Sequence, residues 1–194
     1  MKKVYIIHGW GGTPKEPMHV WLKNNLEKKG FEAIVPEMPN SEEPKINEWI
    51  SKLKNICKNP DKNTYFIGHS IGCQSVLRYL ETLDNNIRIG GVVFIAPWTI
   101  LNMESIEEEG EEAVEIAKSW TQTPINWNKV KNHTDRFVAI FSDNDPFVLE
   151  SNKKIFEKNL GAETILEHSK GHFTEDDGVS ENKVALNKIL EIAR

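Results

Sequence analysis

The sequence predicts an α/β fold with a mostly parallel central sheet of about six strands and helices on both faces. Short apolar runs alternate along the chain with longer segments in which apolar residues recur at helical spacing. Some of the short runs are continuously apolar, as at Val92–Ile95, which is typical of parallel strands covered on both faces. Gly30 and Gly161 follow two of the helical segments, at the position where glycine commonly ends a helix.

The N-terminal half supplies the first three strands and three helices. Strands are expected near residues 3–7, 32–35 and 64–67, and helices near residues 16–29, 44–57 and 71–83. The second helix starts after the polar stretch Asn40–Glu43 and has the clearest apolar face, formed by Ile46, Trp49, Ile50, Leu53 and Cys57.

The C-terminal half continues the alternation. Strands are expected near residues 91–95, 136–141 and 163–167, and helices near residues 104–119, 149–159 and 181–193. No internal repeat or low-complexity linker divides the chain, so a single domain spanning residues 1–194 is expected.

The turn between the third strand and the third helix carries the sequence Gly-His-Ser-Ile-Gly at residues 68–72. A serine in so sharp a turn has a strained backbone, which lifts its hydroxyl above the sheet. Side chains at Gly68 and Gly72 would clash there. The motif is short, but the strand before it and the helix after it favour Ser70 as a nucleophile.

An acid and a base follow Ser70 in the order Asp, then His. Asp145 comes just after the strand at 136–141, and His172 comes just after the strand at 163–167. Both therefore lie with Ser70 at the carboxyl edge of the sheet, where open α/β sheets bind ligands. His172 would take the serine proton and Asp145 would orient the imidazole. Asp143 is the alternative acid, because an Asp before Pro also favours a turn.

A glycine-rich segment follows the first strand, at His8–Thr13. Acyl transfer needs backbone N–H donors directed at the developing oxyanion. We expect one from Ile71, the residue after the nucleophile, and one from this loop, either from Trp10 or from Gly11.

Four motifs together resemble one known family: His8–Thr13, Ile67–Gly72, Ser142–Val148 and Lys170–Phe173. In this order they are similar to the small serine hydrolases grouped with retinoblastoma-binding protein 9, the YdeN-like family. The resemblance spans nearly the whole chain. It implies a reduced α/β-hydrolase fold whose triad maps onto Ser70, Asp145 and His172, since the family's acid directly precedes Pro. The segment Leu-x-Cys-x-Glu linked to retinoblastoma protein is missing here, so that partner is not implied.

In α/β hydrolases a lid is commonly inserted after the fourth strand, and about forty residues separate the fourth and fifth strands here. We therefore expect a small cap at approximately residues 99–131. Trp98, just past the carboxyl end of the fourth strand, and Trp127, within the cap, are the candidate pocket residues, although core packing is an alternative for each. The cap's many glutamates are expected on a solvated helix face.

The remaining histidines suggest no metal site. His8 is expected to orient the glycine-rich loop, His69 to be structural, and His19 and His133 to lie at the surface. None forms a convincing metal-binding pair with a carboxylate, so neither a metal nor another cofactor is expected.

Composition narrows the remaining possibilities. The net charge of −5 and the pI near 5.7 argue against a nucleic-acid partner. No apolar stretch is long enough to span a membrane, and the two cysteines suggest neither disulfides nor a metal site. Only four apolar residues follow the basic N-terminus before His8, which favours a core strand over a secretory signal and gives the cytoplasm as the expected location.

The sequence thus predicts hydrolysis of a small ester, thioester or amide through an acyl-enzyme. One rival is a binding or scaffold protein on a hydrolase fold with an idle site. Another is nucleotide binding by the glycine-rich loop, which lacks the third glycine of a dinucleotide fingerprint and any Gly-Lys-Ser/Thr. The substrate's acyl and leaving groups and any protein partner are not predicted.

Overall fold

The computed structural model describes residues 1–194 and contains six strands and eight helices. The strands are β1 (Lys3–Ile7), β2 (Glu32–Ile34), β3 (Thr64–His69), β4 (Gly91–Ile95), β5 (Phe137–Ser142) and β6 (Glu163–Glu167). The helices are α1 (Pro17–Lys28), α2 (Ile46–Ile56), α3 (Ile71–Glu81), α4 (Met103–Glu108), α5 (Glu111–Thr121), α6 (Trp127–Lys131), α7 (Ser151–Leu160) and α8 (Lys183–Ile192). The predicted α/β class and all six strands are confirmed. No helix combines the length and the apolar character needed to cross a bilayer.

The six strands form one sheet in the order β2-β1-β3-β4-β5-β6, and every neighbouring pair is parallel. Across the sheet, the chain moves in one direction from β1 to β2. It then crosses back over β1 to β3 and continues in the opposite direction through β4 and β5 to β6. Because such crossovers are right-handed, α1 lies on the opposite face of the sheet from α2, α3 and α7. The final helix, α8, returns to the face of α1 and contacts it there.

The reversal of strand order places a crevice between the carboxyl ends of β1 and β3. Ligands bind at such a switch point in open α/β sheets. The glycine-rich loop leaves β1 on one side of the crevice, and β3 ends at His69, directly before Ser70, on the other.

Helix α3 forms the centre of the fold, because every residue from Ile71 to Leu80 is buried. Its polar side chains are used to attach the segment that follows β4. Gln74 donates a hydrogen bond to the carbonyl of Trp98 at 2.9 Å, and Arg78 donates to the carbonyls of Trp120 and Thr123, each at 2.8 Å.

The segment between β4 and β5 differs from the prediction of one helix at 104–119. Gly110 has a φ of 107°, which side-chain-bearing residues rarely adopt, and it separates α4 from α5. The short helix α6 was not predicted. It begins where the Asn126 side chain accepts a hydrogen bond from the Lys129 N–H at 3.1 Å, and it contacts α3 and α7.

Candidate active site

The turn at Ser70 joins β3 directly to α3. Ser70 has a φ of 53° and a ψ of −120°, a conformation that a non-glycine residue rarely adopts. A Cβ atom at Gly68 would lie 2.8 Å from the backbone nitrogen of Cys73, and one at Gly72 would lie 2.7 Å from the carbonyl oxygen of His8. Both glycines are therefore required for the close approach of β1, β3 and α3 that exposes the serine hydroxyl.

The structure brings Ser70, His172 and Asp145 into one chain of hydrogen bonds. His172 Nε2 lies 2.8 Å from Ser70 Oγ, and His172 Nδ1 lies 2.8 Å from Asp145 Oδ2. A carboxylate only accepts hydrogen bonds, so Nδ1 carries the proton and Nε2 is free to accept from the serine hydroxyl. The arrangement can remove a proton from Ser70.

The carboxylate of Asp145 is held in place by its own turn. Its side chain is 1% exposed, and Asp145 Oδ1 accepts hydrogen bonds from the N–H groups of Phe147 at 2.9 Å and Val148 at 3.0 Å. The Phe147 ring packs edge-on against His172, with 5.3 Å between the ring centroids. These contacts leave Oδ2 directed at the imidazole.

The alternative acid, Asp143, contacts a different histidine. Asp143 Oδ2 lies 2.5 Å from His168 Nδ1, and Oδ1 accepts a hydrogen bond from the Ser169 N–H at 2.9 Å. These hydrogen bonds, with that from Ser169 the larger, lower the pKa of Asp143. His168 is largely exposed, so this pair lies outside the hydrogen-bonded chain at Ser70.

The loop that carries His172 is anchored by two groups that the sequence analysis did not assign to it. Asp177 Oδ2 accepts hydrogen bonds from the His172 N–H at 2.8 Å and from the Thr174 hydroxyl at 2.7 Å. His69 Nε2 donates to the His172 carbonyl at 2.8 Å. Burial, followed by the electrostatic effects of His172 and His19, lowers the pKa of His69 to about 3, so its ring is neutral.

The two expected oxyanion donors are both without an acceptor in the protein. Neither the Trp10 N–H nor the Ile71 N–H makes a hydrogen bond to another protein group, whereas the Gly11 N–H donates to the carbonyl of Ser41 at 2.7 Å. The structure therefore leaves Trp10, and not Gly11, with a free N–H in this loop.

His8 fixes the loop after β1. Its Nε2 accepts a hydrogen bond from the Met38 N–H at 3.1 Å, and its Nδ1 donates to the carbonyl of Gly9 at 2.9 Å. Burial lowers the pKa of His8, which keeps the ring in the neutral form that makes both bonds. The residue thus holds the backbone next to Trp10.

A cavity of about 720 Å³ lies above Ser70 and His172. Its apolar walls come from the β1 loop, from the segment after β4 and from the Asp145 turn, as Trp10, Trp98, Leu101, Ile106, Ala113, Ile116 and Phe147. Trp98 also directs its indole Nε1–H at Ser70 Oγ, at 3.4 Å.

Trp127 does not line this cavity, so its expected role as a pocket residue is wrong. Its ring packs edge-on against Phe156, with 5.7 Å between centroids. The unpredicted helix α6 places it there, between α3 and α7 and away from Ser70.

Carboxylates surround the cavity. Six of the lining residues are acidic and none is Lys or Arg: Glu16, Glu42, Glu109, Glu112, Glu175 and Asp176. Glu109 and Glu112 come from α4's C-terminus and from α5, so the glutamates of this segment are not only a solvated helix face.

Two histidines expected at the surface are buried. His19 and His133 are both 0% exposed. His133 Nδ1 donates to the carbonyl of Ile87 at 2.9 Å. His19 lies beside Glu16 and His69, and potential metal-ligating atoms of these three residues are within 4.8 Å of one another. The structure therefore places two histidines and a carboxylate side by side, a grouping that the sequence analysis did not expect.

Comparisons with known protein sequences identify relatives over most of the chain. The family model described as serine hydrolase matches residues 4–188. YdeN of Bacillus subtilis (strain 168) is 28% identical over 177 residues, which cover 91% of this chain and 88% of YdeN. Serine hydrolase RBBP9 of Rattus norvegicus is 24% identical over 167 residues, which cover 86% of this chain and 78% of RBBP9.

Solved structures agree with the fold. The crystal structure of the ydeN gene product of B. subtilis matches with a TM-score of 0.89 at 26% identity, covering 99% of this chain and 98% of that one. Est1E from Butyrivibrio proteoclasticus, in its ferulic acid complex, matches with a TM-score of 0.73 at 16% identity, covering 100% of this chain and 90% of that one. The second likeness concerns the fold alone. The fold and the family resemblance expected from the four motifs are confirmed.

Gly72→Ala is expected to lower the free energy of unfolding by about 3 kcal/mol, because the new Cβ meets the backbone carbonyls that end β1. Gly30→Ala is the control for the contact. Gly30 has a positive φ, of 84°, which Gly72 does not, but no atom lies within 4 Å of the position that its new methyl group would take, so only the backbone strain of about 1–2 kcal/mol is expected. Urea unfolding measures both, and equal losses would contradict the close approach at Gly72.

Proposed function

The chain belongs to the serine hydrolase family, and from that premise we propose that it cleaves a small carboxylic ester, thioester or amide through an acyl-enzyme on Ser70. The observation that carries the proposal is the unbroken hydrogen-bonded chain from Asp145 through His172 to Ser70. Its order and geometry are those of a Ser-His-Asp triad.

The first half of the reaction acylates Ser70. His172 Nε2 takes the hydroxyl proton as Ser70 Oγ attacks the substrate carbonyl carbon. The carbonyl oxygen becomes an oxyanion, which receives hydrogen bonds from the free N–H groups of Trp10 and Ile71. His172 then gives its proton to the leaving alcohol, thiol or amine as the bond to the carbonyl carbon breaks.

The second half returns the enzyme to its starting state. A water molecule gives a proton to His172 Nε2 and attacks the acyl carbon, so the same two N–H donors stabilise a second oxyanion. The bond to Ser70 Oγ then breaks, and the serine recovers its proton from the imidazolium. Throughout, Asp145 keeps the Nδ1 proton of His172 in place and stabilises the imidazolium charge.

The cavity suggests the kind of substrate. Apolar walls, with Trp98 beside the nucleophile, suit a short apolar or aromatic acyl group. The carboxylates around the cavity disfavour an anionic substrate and favour a neutral or cationic one.

The first test is labelling with a fluorophosphonate probe, read by intact mass. The wild type is expected to gain one adduct, because the probe reacts with an activated serine, and Ser70→Ala is expected to gain none. Ser119→Ala, which removes an exposed serine on α5, is the matched control and keeps the label. A wild type that stays unlabelled would overturn the proposal in favour of a binding protein with an idle site.

The identity of the acid is tested by a matched pair of variants. Asp145→Asn is expected to lower kcat by about 10⁴-fold, since the histidine tautomer is lost. Asp143→Asn, which removes the same charge two residues away, is expected to leave kcat nearly unchanged, since Asp143 contacts His168. Steady-state hydrolysis of an activated ester measures both, and the opposite ranking would place the acid at Asp143.

The charge of the cavity is tested with esters that share an acyl group but carry a trimethylammonium, a neutral or a carboxylate leaving group. The kcat/KM ratio of cationic to anionic ester is expected to be about tenfold at low salt and to shrink as salt is added. Glu109→Gln with Glu112→Gln should lower the ratio. The control, Glu108→Gln with Glu111→Gln, removes equal charge from neighbouring positions outside the lining. Equal rates for all three esters would exclude the charge preference.

A further inference from the structure

Three side chains of metal-ligating type cluster beside the Ser70 turn without belonging to the Ser-His-Asp chain. They are Glu16, just before α1, His19 in the first turn of α1, and His69 at the end of β3. One ligand atom from each lies within 4.8 Å of the others. Glu16 Oε2 is 3.1 Å from His19 Nδ1, and the two imidazole rings have centroids 5.7 Å apart.

The two histidines of this cluster are buried with nitrogen atoms that have no hydrogen-bond partner. His19 is 0% exposed and neither of its ring nitrogens makes a hydrogen bond, because the short approach of Glu16 lacks hydrogen-bond geometry. His69 is 3% exposed and its Nδ1 is also without a partner. Leaving a buried polar group unpaired costs about 1–3 kcal/mol, so such groups are rare in native proteins. These ring nitrogens of His19 and His69 therefore have no hydrogen-bond partner within the protein.

The outer contacts of the cluster leave the inner atoms available for a cation. His69 Nε2 donates to the His172 carbonyl at 2.8 Å, so Nδ1 bears the lone pair. The Thr13 N–H donates to Glu16 Oε1 at 2.8 Å and leaves Oε2 free. Metal-ligating histidines commonly donate their other ring N–H to a carbonyl, and ligating carboxylates are themselves hydrogen-bonded.

We propose that Glu16, His19 and His69 bind one divalent transition-metal ion, with the two-imidazole, one-carboxylate donor set that suits Zn²⁺. Ligand atoms around tetrahedral Zn²⁺ lie about 3.3 Å apart, so the three side chains draw closer on binding. Glu16 is partly exposed and can make that movement. Glu16 and His69 line the same cavity as Ser70, which gives the ion a path from solvent.

The ion links parts of the molecule that are separate in sequence. It connects the start of α1 to the Ser70 turn and, through the His69–His172 hydrogen bond, to the loop that carries His172. Binding to the folded chain alone stabilises that state. This consequence does not depend on which substrate the protein hydrolyses.

The test is a Zn²⁺ titration of the full-length, chelator-treated protein against a chromophoric chelator, with thermal unfolding measured in parallel. The wild type is expected to bind one ion per chain with micromolar or lower Kd, and saturating Zn²⁺ should raise Tm by about 5 °C. Glu16→Gln and His19→Gln should each weaken binding at least tenfold. His168→Ala, which removes an exposed histidine paired with Asp143, is the control and should bind as the wild type does.

Other outcomes would overturn the proposal. Absence of binding by the wild type would mean that Glu16 and His19 form only an ion pair. Binding that survives Glu16→Gln and His19→Gln but is lost in His168→Ala would place the ion at the surface. His19 is fully buried, so His19→Gln could fail to fold. In that case Glu16→Gln decides, because Gln can still accept the Thr13 hydrogen bond, and circular dichroism checks that it folds.

Discussion

The backbone conformation of Ser70 is the constraint on which the rest of the site depends. A non-glycine residue at a φ of 53° costs on the order of 1–3 kcal/mol, so its surroundings must fix it. They do so through the Ser70 N–H, which donates to the Ile95 carbonyl at 2.9 Å, and through α3, which is buried along almost its whole length. The turn directs groups of three consecutive residues, His69, Ser70 and Ile71, into different surroundings. The Ser70 hydroxyl enters the cavity, the Ile71 N–H stays without an acceptor, and the His69 ring reaches the His172 carbonyl.

The proposed base, His172, is positioned by hydrogen bonds rather than by the sheet. His172 lies in a loop after β6, between Gly171 and Phe173, which have φ values of 52° and 60°. That loop is held by Asp177 through the His172 N–H, by His69 through the His172 carbonyl, and by Asp145 through the imidazole. Because His69 and Asp145 come from other parts of the chain and Asp177 from the same loop, the orientation of His172 depends on tertiary structure as well as on its own loop. A change at His69 would therefore affect the position of His172 without altering either Ser70 or Asp145.

The sequence predicted the features that short stretches of chain determine. The six runs predicted as strands are strands in the structure, and the glycines around Ser70 correctly indicated the turn. Both could be predicted because strand burial and turn sterics depend on short stretches of chain. Gly110 could have indicated the break between α4 and α5, but the helical spacing of apolar residues on both sides of it favoured one continuous helix. The placement of Trp127 and the burial of His19 could not be predicted from short stretches of sequence. Each is decided by which helices pack together, and the side chains that meet Trp127 and His19 come from distant parts of the sequence, as Phe156 and His69 do.

Electrostatics connects the substrate cavity to the proposed metal site. Glu16 belongs to both, since it lines the cavity and lies beside His19. The six carboxylates create a negative potential that concentrates cations near the crevice, whether the cation is part of a substrate or a metal ion. A divalent ion at the proposed site would offset two of those six charges, so the proposed metal occupancy and the proposed substrate charge preference would be linked rather than independent. The common cause is the reversal of strand order at β1, because it brings the loop after β1, the start of α1 and the turn after β3 to the same crevice.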